Sequence, residues 1–501
     1  MWSRTLVALI CLGVCGGQAS ASTTPEPLWF RHESLTTAGE ALLLELSRAE
    51  QRGLRSADYR VQPLPHDSAL ADAALTRVAG RFASDLSRGR VSPAELGYDL
   101  DVPRAPFDEA AAARALASST DLPSTLDSME PQLVHFRLLR EALARYRAIA
   151  SARANARMPS PPPHNRVRAG ERYEDAPALR QLLRALGDMP ASTNESAATD
   201  LTLDASLQAG LRNFQSRHGL EPDGVLGRAT YSALVVPIDA RVKQIELSME
   251  RIRWLPQRLG SPPIIVNIPQ FRLFAFRTAN DLARDILQMD VVVGADFHGR
   301  RTPVFAADMR YVVLEPYWDV PRSILLKELL PQISADSDWV ARNDYEIVVG
   351  QTDAAKPVPV TAQNVALLAQ GTLRLRQKPG PTNALGVVKF IFPNRHQVYL
   401  HDTPAKALFA RSRRAYSHGC IRVADPMALL AHVMRDDPTW TTARRDELLA
   451  SETPVRIMLP QPIRVFILYG TALATEAGTV MFFDDIYGQD GPLLEKLARA
   501  R

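Results

Sequence analysis

Ser417-His418-Gly419-Cys420 places a thiol directly after a glycine, and His401 stands 19 residues upstream, at the end of Gln397-Val398-Tyr399-Leu400-His401. A cysteine nucleophile needs a base for its proton and donors for the charge that develops on the attacked oxygen. His401 supplies a base. Gly419 lets the backbone pass close to a substrate, and the amides around Gly419 and Cys420 can face an oxyanion. Arg411, Arg413 and Arg414 precede the thiol, and positive charge beside a thiol favours the thiolate. Two other readings compete: an inert core cysteine, or a zinc site built from His396, His401, His418 and Cys420. Inertness fits poorly with a histidine and three arginines beside the thiol. Zinc fits poorly because His396 and His401, five apart in an expected strand, face opposite ways.

These groups need elements to position them. Alternation puts Tyr399 and His401 on one face of a strand over 397–401, and Asp402 to Tyr416 is long enough to loop back and bring Cys420 beside His401. Short β-like runs precede it at 264–268, 272–276, 291–293, 311–314 and 387–392, and follow it at 455–458, 463–469 and 480–483. Residues 321–380 interrupt them with helical and irregular texture, an insertion suited to cap a site. A connecting helix is expected over 240–255.

Upstream the texture is helical. Thr37 to Gly53, Ser68 to Gly89 and residues 130–155 carry Leu/Ala periodicity with glycine stops. They form a structural scaffold over 27–155. A Pro-rich linker with Pro159 and Pro161-Pro162-Pro163 follows, then a compact unit over 172–237. Its helices show Leu179, Leu182, Leu183 and Leu186, then Leu207, Leu211 and Phe214, with a turn at Asp223-Gly224.

Of the three cysteines, Cys11 and Cys15 lie in an N-terminal run with Arg4, an apolar core from Leu6 to Val14 and Ala19-Ser20-Ala21, which has the form of an export signal over 1–21. Release into a periplasm-like space is expected, an uncleaved anchor being the alternative. Cys420 is then the single thiol of the mature chain, in a compartment where a thiol without chemistry is a liability. At 501 residues the chain holds several domains. A net charge of +4 is too small for a dedicated nucleic-acid binder of this size.

The 172–237 unit resembles bacterial peptidoglycan-binding modules through Leu207, Phe214-Gln215, Gly219-Leu220, Asp223-Gly224, Gly227, Thr230 and Leu234. His401 followed by Ser417-His418-Gly419-Cys420-Ile421-Arg422 resembles the motif of L,D-transpeptidases of the cell wall. So do Val266-Asn267-Ile268-Pro269-Gln270-Phe271, Arg301-Thr302-Pro303, Pro316-Tyr317-Trp318, Val320-Pro321-Arg322-Ser323 and Tyr399-Leu400-His401-Asp402-Thr403-Pro404. The last four resemble a large Gram-negative subgroup. The resemblance implies a multidomain α+β protein: a helical scaffold, a small three-helix peptidoglycan-binding module, and a mainly-β catalytic domain over 240–490 with the capping insertion. It implies Cys420 as nucleophile, His401 as proton donor and acceptor, and His418 and Gly419 as shaping the site and its oxyanion. Arg422, Tyr399, Tyr317 and Trp318 are the implied substrate contacts. The implied reaction joins a tetrapeptide donor to the diaminopimelate of an acceptor stem by a 3→3 link, without metal or cofactor, and is blocked by carbapenem-type β-lactams. A hydrolase, a protein-to-wall anchoring enzyme and a non-catalytic wall-binding scaffold are the alternatives.

Overall fold

The computed structural model describes residues 26–499, apart from 62, 101, 103–105, 154–156, 191–199, 258, 260, 279–285, 298 and 452. The expected export signal, with Cys11 and Cys15, lies outside the described residues.

The first unit is helical: α1 Thr37–Ser47, α2 Ser68–Arg88, α3 Glu109–Ala117 and α4 Leu122–Met129. Each starts on a Thr or Asp whose side chain accepts a backbone N–H of the first turn, which satisfies an amide the helix cannot. Their apolar faces enclose Trp29, Leu42, Leu75, Phe82, Leu116 and Leu126. The fifth helix of the expected scaffold span, α5 Val134–Ala152, joins a different core. Phe136, Leu139, Leu143 and Tyr146 pack on Val242, Ile245 and Met249, and on Ala472, Val480 and Phe482 near the end of the chain.

The second unit holds α6 Ala176–Leu186, α7 Ala205–Arg217 and α8 Arg228–Leu234 around Leu179, Leu183, Leu207, Leu211, Phe214 and Leu226. Buried Gln215 ties its turn together. Its amide group donates to Asp223 Oδ1 (2.8 Å), Val225 O (3.0 Å) and Thr230 Oγ1 (3.0 Å), and accepts from Gly224 N (2.8 Å). The buried Arg217 guanidinium donates twice to Asp188, at 2.6 Å each, and through Nη1 to Tyr146 Oη (3.2 Å) and Val480 O (3.0 Å). This fastens the unit to α5 and to the C-terminal segment.

After α9 Ile238–Arg253 the β domain begins. Its strands are β1 Ile264–Asn267, β2 Arg272–Ala275, β3 Leu287–Gly294, β4 Phe305–Leu314, β5 Trp318–Asp319, β6 Tyr345–Val349, β7 Lys356–Val358, β8 Arg374–Gln377, β9 Val388–Ile391, β10 Leu400–His401, β11 Ala415–Ser417, β12 Ile421–Val423 and β13 Val455–Leu468. The large sheet runs β11-β3-β12-β10-β9-β4-β13-β1-β2, and β2 also pairs with β3, so the sheet closes into a barrel. Closure removes free edges. Val291, Val293, Met309, Val312, Phe390, Leu400, Ile421 and Ile467 fill the barrel core. The two runs expected at 455–458 and 463–469 are one strand along β4, with a register shift between Met458 and Ile463 around Pro460 and Pro462. Proline cannot donate to the ladder.

The insertion is a second antiparallel sheet, ordered β7-β6-β8-β5, with helices on its Leu325, Ile347, Leu368 and Leu375 core. It starts at Trp318, earlier than the expected 321. The strand expected at 480–483 lies in a hairpin, β14 Ala472–Ala474 and β15 Val480–Phe482, outside the barrel.

Candidate active site

The turn before β10 sets the position of His401. Asn394 Oδ1 accepts from His396 N (3.0 Å) and Val398 N (3.2 Å), and its Nδ2 donates to Phe392 O (2.6 Å) and Val398 O (2.7 Å). Gln397 has φ +55°. The expected strand over 397–401 is therefore a side-chain-knotted turn that becomes strand only at Leu400. The opposite-face argument against zinc loses its premise. His396 sits instead 3.4 Å from Asp99, with its ring against Phe305. Among the described residues no three His, Cys, Asp or Glu side chains are grouped to hold a metal.

His401 is only 4% exposed. Its Nδ1 lies 2.5 Å from the carbonyl oxygen of Asp402. A ring nitrogen facing a carbonyl carries the proton of a neutral imidazole, which leaves Nε2 as an acceptor. The Asp402 carboxylate accepts from Val387 N (3.1 Å) and Lys406 Nζ (2.5 Å) and so fixes this corner. Tyr399 meets the imidazole edge to face, with ring centroids 5.6 Å apart.

The thiol turn is held from below. Ser417 Oγ donates to Cys420 O (2.5 Å) and accepts from Gly419 N (3.1 Å). Gly419 has φ +124°, a conformation that side chains resist. Fully buried Thr302 donates from Oγ1 to Gly419 O (2.8 Å) and accepts there from Gly294 N (2.8 Å). Tyr487 Oη accepts from Thr302 N (3.2 Å) and donates to Gly294 O (2.6 Å). The oxyanion expectation is corrected here: the Gly419 N–H is spent on Ser417. The Cys420 N–H, bonded to none of the described residues, is the one left.

Tyr399 O accepts from Ile421 N (3.1 Å), and β10 and β12 run in parallel with Leu400 beside Ile421 and His401 beside Arg422. His401 and Cys420 thus reach adjoining strands. They are not hydrogen-bonded: the half-buried Sγ lies 3.8 Å from Gln397 O. Burial pushes the thiol above its usual range, against the opposing pull of Tyr399 and Arg422. Burial, then Arg422, brings His401 down to about 3, with Lys389 adding to the effect and Asp402 opposing it. At neutral pH both groups are uncharged, so the resting site is a thiol beside an imidazole and not an ion pair. Alkylation of Cys420 in the free protein is therefore expected to accelerate continuously from about pH 6 to about pH 9, because thiolate accumulates only as pH approaches a raised thiol pKa. A rate already level by pH 7 would refute this state.

The three upstream arginines do not act on the thiol. Arg414 binds Asp290 (2.9 Å) and Phe271 O (3.2 Å), Arg413 binds Asp296, and Arg411 reaches Tyr416 Oη (3.2 Å). Arg422 is the cation whose field reaches it, and its buried Nε has no hydrogen-bond partner. His418 is exposed and binds Glu328 of the insertion (2.8 Å), which also pairs with Arg300. It ties the cap to the thiol turn. Tyr317 lies under the Arg376 guanidinium, 3.8 Å from ring centroid to carbon, and Trp318 packs toward Tyr345. Trp318 opens the insertion, and Tyr317 stands just before it. Thr302, Glu328, Asn394 and Tyr487 escaped sequence reasoning. Thr302 stands in a quoted motif, and the other three carry no local signal of their partners.

Residues 262–457, which include the barrel strands that hold His401 and Cys420, match the L,D-transpeptidase catalytic domain. The chain carries an L,D-transpeptidase catalytic domain. Residues 21–143 match a scaffold domain, and 172–234 match a family described as "Putative peptidoglycan binding domain". A Haemophilus influenzae protein named "Putative L,D-transpeptidase" is 33% identical over 248 residues, 50% of this chain and 48% of that protein. The chain thus spans about half the length of the curated relative it matches. The L,D-transpeptidase match ends at 457, inside β13, so Tyr487 braces the thiol turn from outside it.

Proposed function

We propose that this protein is a peptidoglycan L,D-transpeptidase that makes 3→3 cross-links through a thioester on Cys420. The observation that carries the reading is the pairing of a neutral His401, its Nε2 open, with a thiol on the adjoining strand of the L,D-transpeptidase domain. In the forward step the Cys420 proton passes to His401 Nε2 and sulfur attacks the carbonyl of the third stem residue, diaminopimelate. The Cys420 N–H faces the oxyanion. The carbon–nitrogen bond to the terminal D-Ala breaks, and His401 returns the proton to the leaving amine. The side-chain amine of an acceptor stem then attacks the thioester and releases the thiol. One amide replaces another, so no nucleotide is consumed, which suits an exported protein acting in the periplasm. The 172–234 module supports the reading by holding donor strands near the site.

Incubation with purified disaccharide-tetrapeptide and mass analysis of the products tests this. The expected product is a dimer of two substrates less one alanine. Tripeptide alone would replace the reading with hydrolysis, and unchanged substrate would replace it with wall binding.

A further inference from the structure

One row of side chains crosses the site. Lys389 on β9 is the register partner of His401, and His401 is the partner of Arg422 on β12. Register partners share a face. Val388 and Phe390, Leu400, and Ile421 and Val423 fill the barrel core, so Lys389, His401 and Arg422 stand on its outer face, under the insertion. The row places two cations on either side of the imidazole, with Cα atoms roughly 10 Å apart, two strand spacings.

Neither cation is matched. Lys389 makes no hydrogen bond or ion pair among the described residues, although it is half-buried. Asp319 and Asp353 of the insertion favour its charge and Arg456 of β13 opposes it, but Asp319 is taken by Arg374, and Arg456 stacks on Tyr311. A partly desolvated ammonium without a partner is costly unless a ligand supplies the anion.

The order along the row fits the proposed reaction. Arg422 and Cys420 mark the place of the attacked carbonyl, and His401 must meet the leaving nitrogen to protonate it. The carboxylate of the departing D-amino acid, one carbon beyond that nitrogen, then falls on the side of Lys389. We infer that Lys389 is the receptor for the free α-carboxylate of the leaving D-amino acid, and so sets the requirement for a C-terminal residue one position beyond the attacked carbonyl. This rests on the thioester reading above. A carboxylate seated there also offsets the cations that flank His401, so substrate itself makes the imidazole a better proton acceptor.

The test compares acyl-enzyme formation by the full chain with tetrapeptide and with its C-terminal amide. Wild type is expected to prefer the free acid by about 10- to 100-fold, the loss expected when a charge-assisted contact is removed. Lys389→Gln is expected to bring that preference close to one, and Lys389→Arg to restore most of it. A second readout is the pH dependence of alkylation with D-alanine present, which is expected to shift in wild type and not in Lys389→Gln. An unchanged preference in a folded Lys389→Gln protein overturns the inference while leaving the thioester reading in place. No adduct from either peptide with wild type overturns both.

Discussion

Cys420→Ala is expected to eliminate acyl-enzyme formation and to lower turnover by at least about 10⁴-fold, the scale seen when a covalent nucleophile is removed. No neighbour can take its place. Ser417 Oγ is committed to Cys420 O and Gly419 N. Burial holds the Tyr399 phenol far above neutrality, so it stays protonated. The substitution should leave the fold intact, since the half-buried thiol meets only Gln397 O and Tyr399, and the backbone of its turn is held by Ser417 and Thr302. Intact-protein mass spectra after exposure to a carbapenem give the readout: one adduct on wild type, none on the variant. An adduct that persists on the alanine protein would remove Cys420 from the reaction.

The largest stability effect is expected at Arg217. Arg217→Ala strands the Asp188 carboxylate, whose side chain is 2% exposed, and cuts the contacts to Tyr146 and Val480. Burial already pushes Asp188 up despite its bidentate partner. Breaking one side of a buried pair costs about 3–5 kcal/mol. Urea unfolding of the Arg217→Ala protein should show this loss. The Asp188→Asn/Arg217→Ala double variant should recover part of it, because the orphaned charge is gone. A single variant within about 1 kcal/mol of wild type would mean that water or another cation reaches Asp188.

Much of the site was legible because its chemistry is local in sequence. Ser417 to Arg422 is one short turn entering one strand, and a histidine, a glycine and a thiol in that order announce themselves. Helices such as Ser68–Arg88 were equally plain, since an Asp cap, a 3.6-residue period and a terminal glycine are written within the element. Some failures are contacts between distant segments, and others are local side-chain hydrogen bonds that no periodicity announces. Nothing near Arg411 to Arg414 says that their charges go to Asp290, Asp296 and Tyr416. Nothing near Gly419 says that Ser417 consumes its amide. The strand expected at 397–401 failed because Asn394 offers the backbone four side-chain hydrogen bonds in place of a ladder. Lys389 was hidden for a related reason: its meaning lies across the sheet, in what stands beside it on β10.

The hairpin at 472–482 has a consequence for how the chain is made. A polypeptide emerges N-terminus first, yet the apolar face of α5 finds its cover on α9 and on a hairpin more than 300 residues later. The loop Arg217 braces closes on the same late segment. Until Ala472 to Phe482 has appeared, Phe136, Leu139 and Tyr146 remain partly uncovered, a sticky surface during synthesis. Shortened chains ending before Ala472 would carry Ser417 to Cys420 yet lack both this cover and the Tyr487 brace, so they would be prone to aggregate before any loss of chemistry could be read.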